Sequence, residues 1–123
     1  MAYIALNPEA YNNQCVGTGQ CVAFVQKASG APATSLWKQG TKVRGNLGVR
    51  KGTAIATFEA NGKYGNTMDS TSHGAIFVGQ NAAGLQVWDQ WIGQRVHQRT
   101  IPYRGGAPGV KPVNDGDAFY VIE

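Results

Sequence analysis

An α+β fold, with N-terminal helices packed on an antiparallel sheet, is what this 123-residue sequence predicts: helical signals crowd into its first third, and strand signals follow from Gly52 onward. Seventeen glycines and five prolines favour short elements joined by frequent turns over a helical bundle. Apolar residues make up 42% of the chain, enough for a packed core, and the length suits a single domain over residues 1–123.

The elements follow in order. Asn7-Pro8-Glu9 reads as a helix start, with Asn as cap, Pro in the first turn and Glu at the positive end of the dipole; this helix ends near Asn12-Asn13. After the glycine-containing segment Val16 to Gly19, the run from Cys21 to Ala28 predicts a largely buried helix that stops at Gly30. Thr34 to Trp37 suggests one more short turn of helix before Gly40. Thr53 to Phe58, His73 to Gly79 and Leu85 to Trp91 are rich in β-formers, the last two joined as a hairpin through Gln80 to Gly84. Arg95 to Ile101 alternates polar and apolar residues, as a half-exposed strand does, and Asp117 to Ile122 forms a last strand.

The net charge is +4, an excess that suits an anionic partner, yet the basic residues, Arg95 and Arg99 among them, are scattered, no aromatic-basic run marks a nucleic-acid site, and a modest solvated positive face is the favoured reading. No stretch reaches the roughly 20 apolar residues that span a bilayer, so membrane insertion is not expected. Met1 to Ala10 lacks the basic and apolar regions of a secretory signal. The expectation is synthesis in the cytoplasm, with any action outside needing another export route.

Reactive side chains are few: two cysteines and two histidines. Cys21 stands where a glycine-rich loop enters a helix, and the free N–H groups and dipole there favour a thiolate. The same N–H groups, with Gln20 as a side-chain donor, suit an oxyanion. His73 opens a strand, and the small Gly74 after it leaves room for substrate at the imidazole; such a base takes the thiol proton and later protonates a leaving amine. In a hairpin centred near residue 81, Asp89 falls beside His73 and can orient its ring. Blander readings stand beside these. Cys21 also fits a small buried hydrophobe, His73 a satisfied strand-end histidine, and Asp89 a turn cap or an arginine partner. His97, between Arg95 and Arg99, reads as solvent-facing, and Asp115 and Asp117 as turn residues. Cys15 and Cys21 are close enough in sequence to form a disulfide after delivery, while Cys-x5-Cys with two distant histidines matches no common zinc pattern. No metal or other cofactor is expected.

Three segments carry a resemblance. Gly19-Gln20-Cys21-Val22-Ala23-Phe24-Val25 resembles the catalytic-cysteine segment of the CHAP amidases and NlpC-type peptidases, which share a papain-like core. Ser72-His73-Gly74-Ala75-Ile76-Phe77-Val78 resembles their histidine strand, and Gly84 to Trp91 the strand that ends in the third polar residue. The size and the missing signal are similar to the amidase effectors that bacteria inject by type VI secretion. Two departures are visible: Gly52-Thr53 stands where Gly-Asp is common, and Asp89 where Glu is.

The resemblance implies a papain-like cysteine hydrolase that cuts an amide of peptidoglycan in the periplasm of a target bacterium. Cys21 is its nucleophile, His73 its base and Asp89 the orienting acid, with Gln20, Gly74, Gln90 and Trp91 at the oxyanion and substrate positions. Trp37, Trp88 and Tyr103 are further candidates for the groove wall, with core packing the equal alternative for most of them. A cognate immunity protein is implied by the same resemblance. The competing reading is a non-catalytic module that binds cell wall on the same fold.

Overall fold

The computed structural model describes residues 1–123 and bears out the α+β class. It has one α-helix, α1 (Cys21–Ser29), and six strands: β1 (Gln39–Lys42), β2 (Ala54–Thr57), β3 (Gly74–Asn81), β4 (Gly84–Trp91), β5 (Gln94–Ile101) and β6 (Phe119–Ile122). The strands form one sheet in the order β1-β6-β2-β3-β4-β5, and every neighbouring pair is antiparallel. The expected helices at residues 7–13 and 34–37 are single 3-10 turns, Pro8–Tyr11 and Thr34–Leu36. No helix is long and apolar enough to cross a membrane.

Helix α1 ends where predicted, because Gly30 adopts φ 76° and its N–H bonds back to Gln26 O. It is less buried than its composition suggests. Phe24 and Val25 are sealed in, Lys27 is exposed, and Val22 and Ala23 are half-buried, so α1 covers the sheet with one face. Under it pack Trp37, Ala54, Ala56, Ile76, Val96 and Ile122. The opposite face of the sheet holds a second cluster that includes Ile55, Phe77, Leu85, Val87, Ile101 and Phe119. A sheet buried on both faces explains why β2 and the start of β3 read as continuous apolar runs rather than alternating ones. Strand β1, absent from the sequence reading, is an edge strand of polar composition held by main-chain pairing to β6.

The β3–β4 hairpin is tighter than expected. Only Ala82 and Ala83 separate the strands, and Gly84 at φ 147° sits where a Cβ would collide with Ile101 O. Ile76 pairs with Trp88, and the register slips between Phe77 and Gly79. Continuing the pairing toward the open end sets Asp89 across from Ala75. His73 is therefore the diagonal neighbour of Asp89 on one face, not its direct partner.

Gly74 does not open the cleft as expected. A Cβ there would lie 3.2 Å from Val25 Cγ2 and 3.3 Å from Trp37, so its smallness lets α1 and Trp37 settle onto β3. Gln90, expected near substrate, is fully buried on the α1 side. Its Nε2 donates to Val16 O (2.9 Å) and Gln20 O (2.8 Å), and its Oε1 accepts from Val16 N (2.9 Å). These bonds fix the loop that launches α1, which is also tied by Val96 N to Gln14 O (2.9 Å) and Asn13 N to Val96 O (2.8 Å).

Two stability changes are expected. Gln90→Ala removes three hydrogen bonds, two of them buried, at roughly 1 kcal/mol each, about 3 kcal/mol in all. Gly74→Ala overpacks the α1 contact and costs about 1–3 kcal/mol. Denaturant melts of each variant against the parent chain check both values.

Candidate active site

The loop pinned by Gln90 delivers Cys21 as the first residue of α1. Gln20 caps the helix in an extended conformation without a side-chain cap bond. The first-turn N–H groups have no carbonyl one turn back, so partial positive charge collects at the cysteine. Its Sγ lies 3.7 Å from the hydroxyl of Tyr64, in the segment between β2 and β3. Tyr64 is held there by Trp37, at 4.7 Å between ring centroids, and by Phe58.

His73 stands just before β3, its backbone N bonded to Thr57 Oγ1 (3.0 Å) and its ring only 3% exposed. Trp91 and Phe119 meet the ring edge-on at 6.2 and 6.3 Å. His73 Nε2 makes a 2.7 Å bond to Asp89 Oδ2, which leaves Nδ1 for the thiol. Asp89 is fully buried, and Arg99 Nε donates to the same oxygen at 2.8 Å. His97 Nε2 lies 3.1 Å from Asp89 Oδ1 without hydrogen-bond alignment. The structure thus brings Cys21, His73 and Asp89 together.

The charges reinforce one another. Burial pushes the Cys21 thiol up, but hydrogen bonding and charge from His73, with bonds from Gly74 N–H and Tyr64, outweigh it and hold the thiol below its ordinary value. Burial pushes His73 down, but its bonds to Asp89 and Cys21 carry it up to about 9. Burial likewise raises Asp89, and His73 and Arg99 return it below the usual carboxylate range. These directions favour a thiolate beside an imidazolium, braced by a carboxylate. Tyr64, raised by burial and by Cys21, stays a neutral hydroxyl that can donate to the sulfur.

Around these residues opens a cleft of about 360 Å³, walled by Cys21, His73, Trp91, Ile92, Met68 and Arg99, with Gln20 at its edge. Trp91 is the one expected aromatic that lines it. Trp37 is in the core, Trp88 packs beside the core, and Tyr103 lies under Arg44, 4.1 Å from the guanidinium. Two basic residues depart from the sequence reading. His97, expected to face solvent, sits on Asp89 with Trp91 edge-on at 5.1 Å, and Arg99 leaves the solvated face to bond the same carboxylate. Their signal was present in the alternation of β5, which puts 97, 99 and 101 on one face. Tyr64 carried no comparable signal, because it lies outside any regular element. Cys15 and Cys21 are both free thiols, and Cys15 is exposed.

A family model described as domesticated amidase effector 2 matches residues 2–122. A type VI secretion amidase effector 2 protein from Salmonella typhi is 34% identical, with both chains fully covered. A domesticated amidase effector 2 from Ixodes scapularis is 41% identical over 85% of this chain and 70% of its own. A solved structure of a type 6 secretion amidase effector 2 superposes with a TM-score of 0.84 at 34% identity, covering 98% of this chain and 94% of the other. The chain with this Cys21, His73 and Asp89 grouping belongs to the domesticated amidase effector 2 family.

Proposed function

We infer that this protein is a cysteine amidase that hydrolyses an amide bond of the cell-wall stem peptide. The observation that carries the reading is the thiol of Cys21 on the wall of a cleft, beside an imidazole held by a buried carboxylate. The names of its relatives, amidase effectors, support the reaction class.

The thiolate of Cys21 attacks the amide carbonyl, and the oxyanion that forms is held by the backbone N–H of Cys21, with the Gln20 side chain as second donor. The C–N bond breaks as His73 passes its proton to the departing amine, leaving a thioester on Cys21. Neutral His73 then takes a proton from water, whose oxygen attacks the thioester and releases the carboxylic acid. Thiolate and imidazolium are restored. Asp89 fixes the tautomer and stabilises the cation throughout. Trp91 shields His73 from one side and offers an aromatic surface to the substrate.

The secretion route in the name of the Salmonella typhi protein supports delivery into a target cell. The periplasm of that cell is the proposed place of action, and an immunity protein blocking the cleft in the producer is the proposed partner.

Purified sacculi incubated with the protein under reducing conditions should release muropeptides whose masses name the bond. Cys21→Ala should lower release by about 10³-fold or more, whereas Cys15→Ala should keep most of it. Sacculi left intact by the parent protein overturn the reading. The pH profile carries a sign. Activity needs imidazolium with thiolate, so kcat/KM should rise as Cys21 ionises below the ordinary thiol range and fall as His73 loses its proton near pH 9. An alkaline limb near pH 6.5 contradicts the ion pair.

A further inference from the structure

The mechanism uses Asp89 but leaves one edge of Arg99 unassigned. Arg99 Nε is taken by Asp89 Oδ2 (2.8 Å), and Nη2 donates to Val113 O (3.3 Å). The face of the guanidinium lies 5.2 Å from the Trp91 ring, which limits its rotation. Nη1 has no hydrogen-bond partner within the chain, and Arg99 lines the cleft with 18% of its side chain exposed. The cleft wall holds no carboxylate, and Arg99 is its one permanently charged side chain. Asn114, next to the carbonyl that holds Nη2, adds an amide to the same wall.

Position tells which half of a substrate meets this edge. Arg99 Nε and His73 Nε2 bond one oxygen of Asp89, so the guanidinium stands on the imidazole side of the cleft. His73 protonates the departing amine, so the amine component of the substrate lies on that side. A guanidinium pre-oriented by three contacts is built to meet a planar anion.

The geometry points to Arg99 as a specificity-determining residue that binds a free carboxylate on the amine component of the scissile amide, a few bonds from the leaving nitrogen. This rests on the amidase reading above and narrows it. The bond cut is one whose amine side ends or branches in an unblocked carboxylate, and amidation of that carboxylate protects the bond.

Two synthetic peptides with one common acyl half, and an amine half bearing either a free carboxylate or a carboxamide, test the assignment. The parent protein should cut the carboxylate peptide with kcat/KM about tenfold or more above the other. Arg99→Gln should lower both rates, because Asp89 loses a partner, and should also bring their ratio to about one. Arg99→Lys, which keeps the charge but not the fork, should retain part of the preference. Equal cutting by the parent protein, or a ratio that survives Arg99→Gln, overturns the proposal and leaves Arg99 as a support for Asp89 alone. If neither peptide is cut, NMR titration of Cys21→Ala with the two isolated amine halves still decides. Tighter binding of the carboxylate half, lost on adding Arg99→Gln, supports the subsite, and equal binding of the two halves overturns it.

Discussion

A carboxylate removed from water must be compensated, and Asp89 is removed completely. Its compensation is the site itself. One oxygen takes His73 and Arg99, and the other faces His97. Taking away any one partner leaves buried charge less well matched, so the imidazole is held in place by the requirement to satisfy Asp89 as much as by its own packing. That constraint also sets the electrostatics. Burial alone would make His73 neutral at pH 7, and the bond to Asp89 does most to reverse it. A protonated His73 in turn pulls the Cys21 thiol below its ordinary value despite its own desolvation.

Strand β4 serves both halves of this arrangement through its two-residue period. Asp89 points to one face and grips His73, while Gln90 points to the other and grips the loop that starts α1. The sulfur and the imidazole come from distant parts of the chain, yet adjacent residues of one strand place them. Gly74 completes the fit from β3 by letting α1 descend close to the sheet. The pair of groups therefore meets at a seam between helix and sheet that is packed below and open above.

Much of this was legible from residue order. The helix start at Cys21, its stop at Gly30 and the strands on either side of the 80–84 turn follow from local signals that tertiary contacts did not override. The proximity of His73 and Asp89 followed from hairpin reasoning even though the register was misjudged, because a diagonal neighbour on the same face is still within side-chain reach. The bulge between Phe77 and Gly79 has no sequence marker that fixes its place. Other roles depended on what lies across a face. Gly74 and Gln90 sit beside the nucleophile and base in sequence but turn toward α1, whereas His97 and Arg99 look like surface residues and turn toward Asp89. Edge strand β1 is drawn in by β6 rather than by its own polar composition.

The claim at the centre is that the imidazole of residue 73 carries a proton at neutral pH because a thiolate and a carboxylate flank it. Nitrogen-15 NMR titration of that ring is the most direct measurement. The account predicts a midpoint near 9, moving downward when the sulfur is removed in Cys21→Ala. A ring that titrates at or below about 6.5, the value of an isolated histidine, would contradict it.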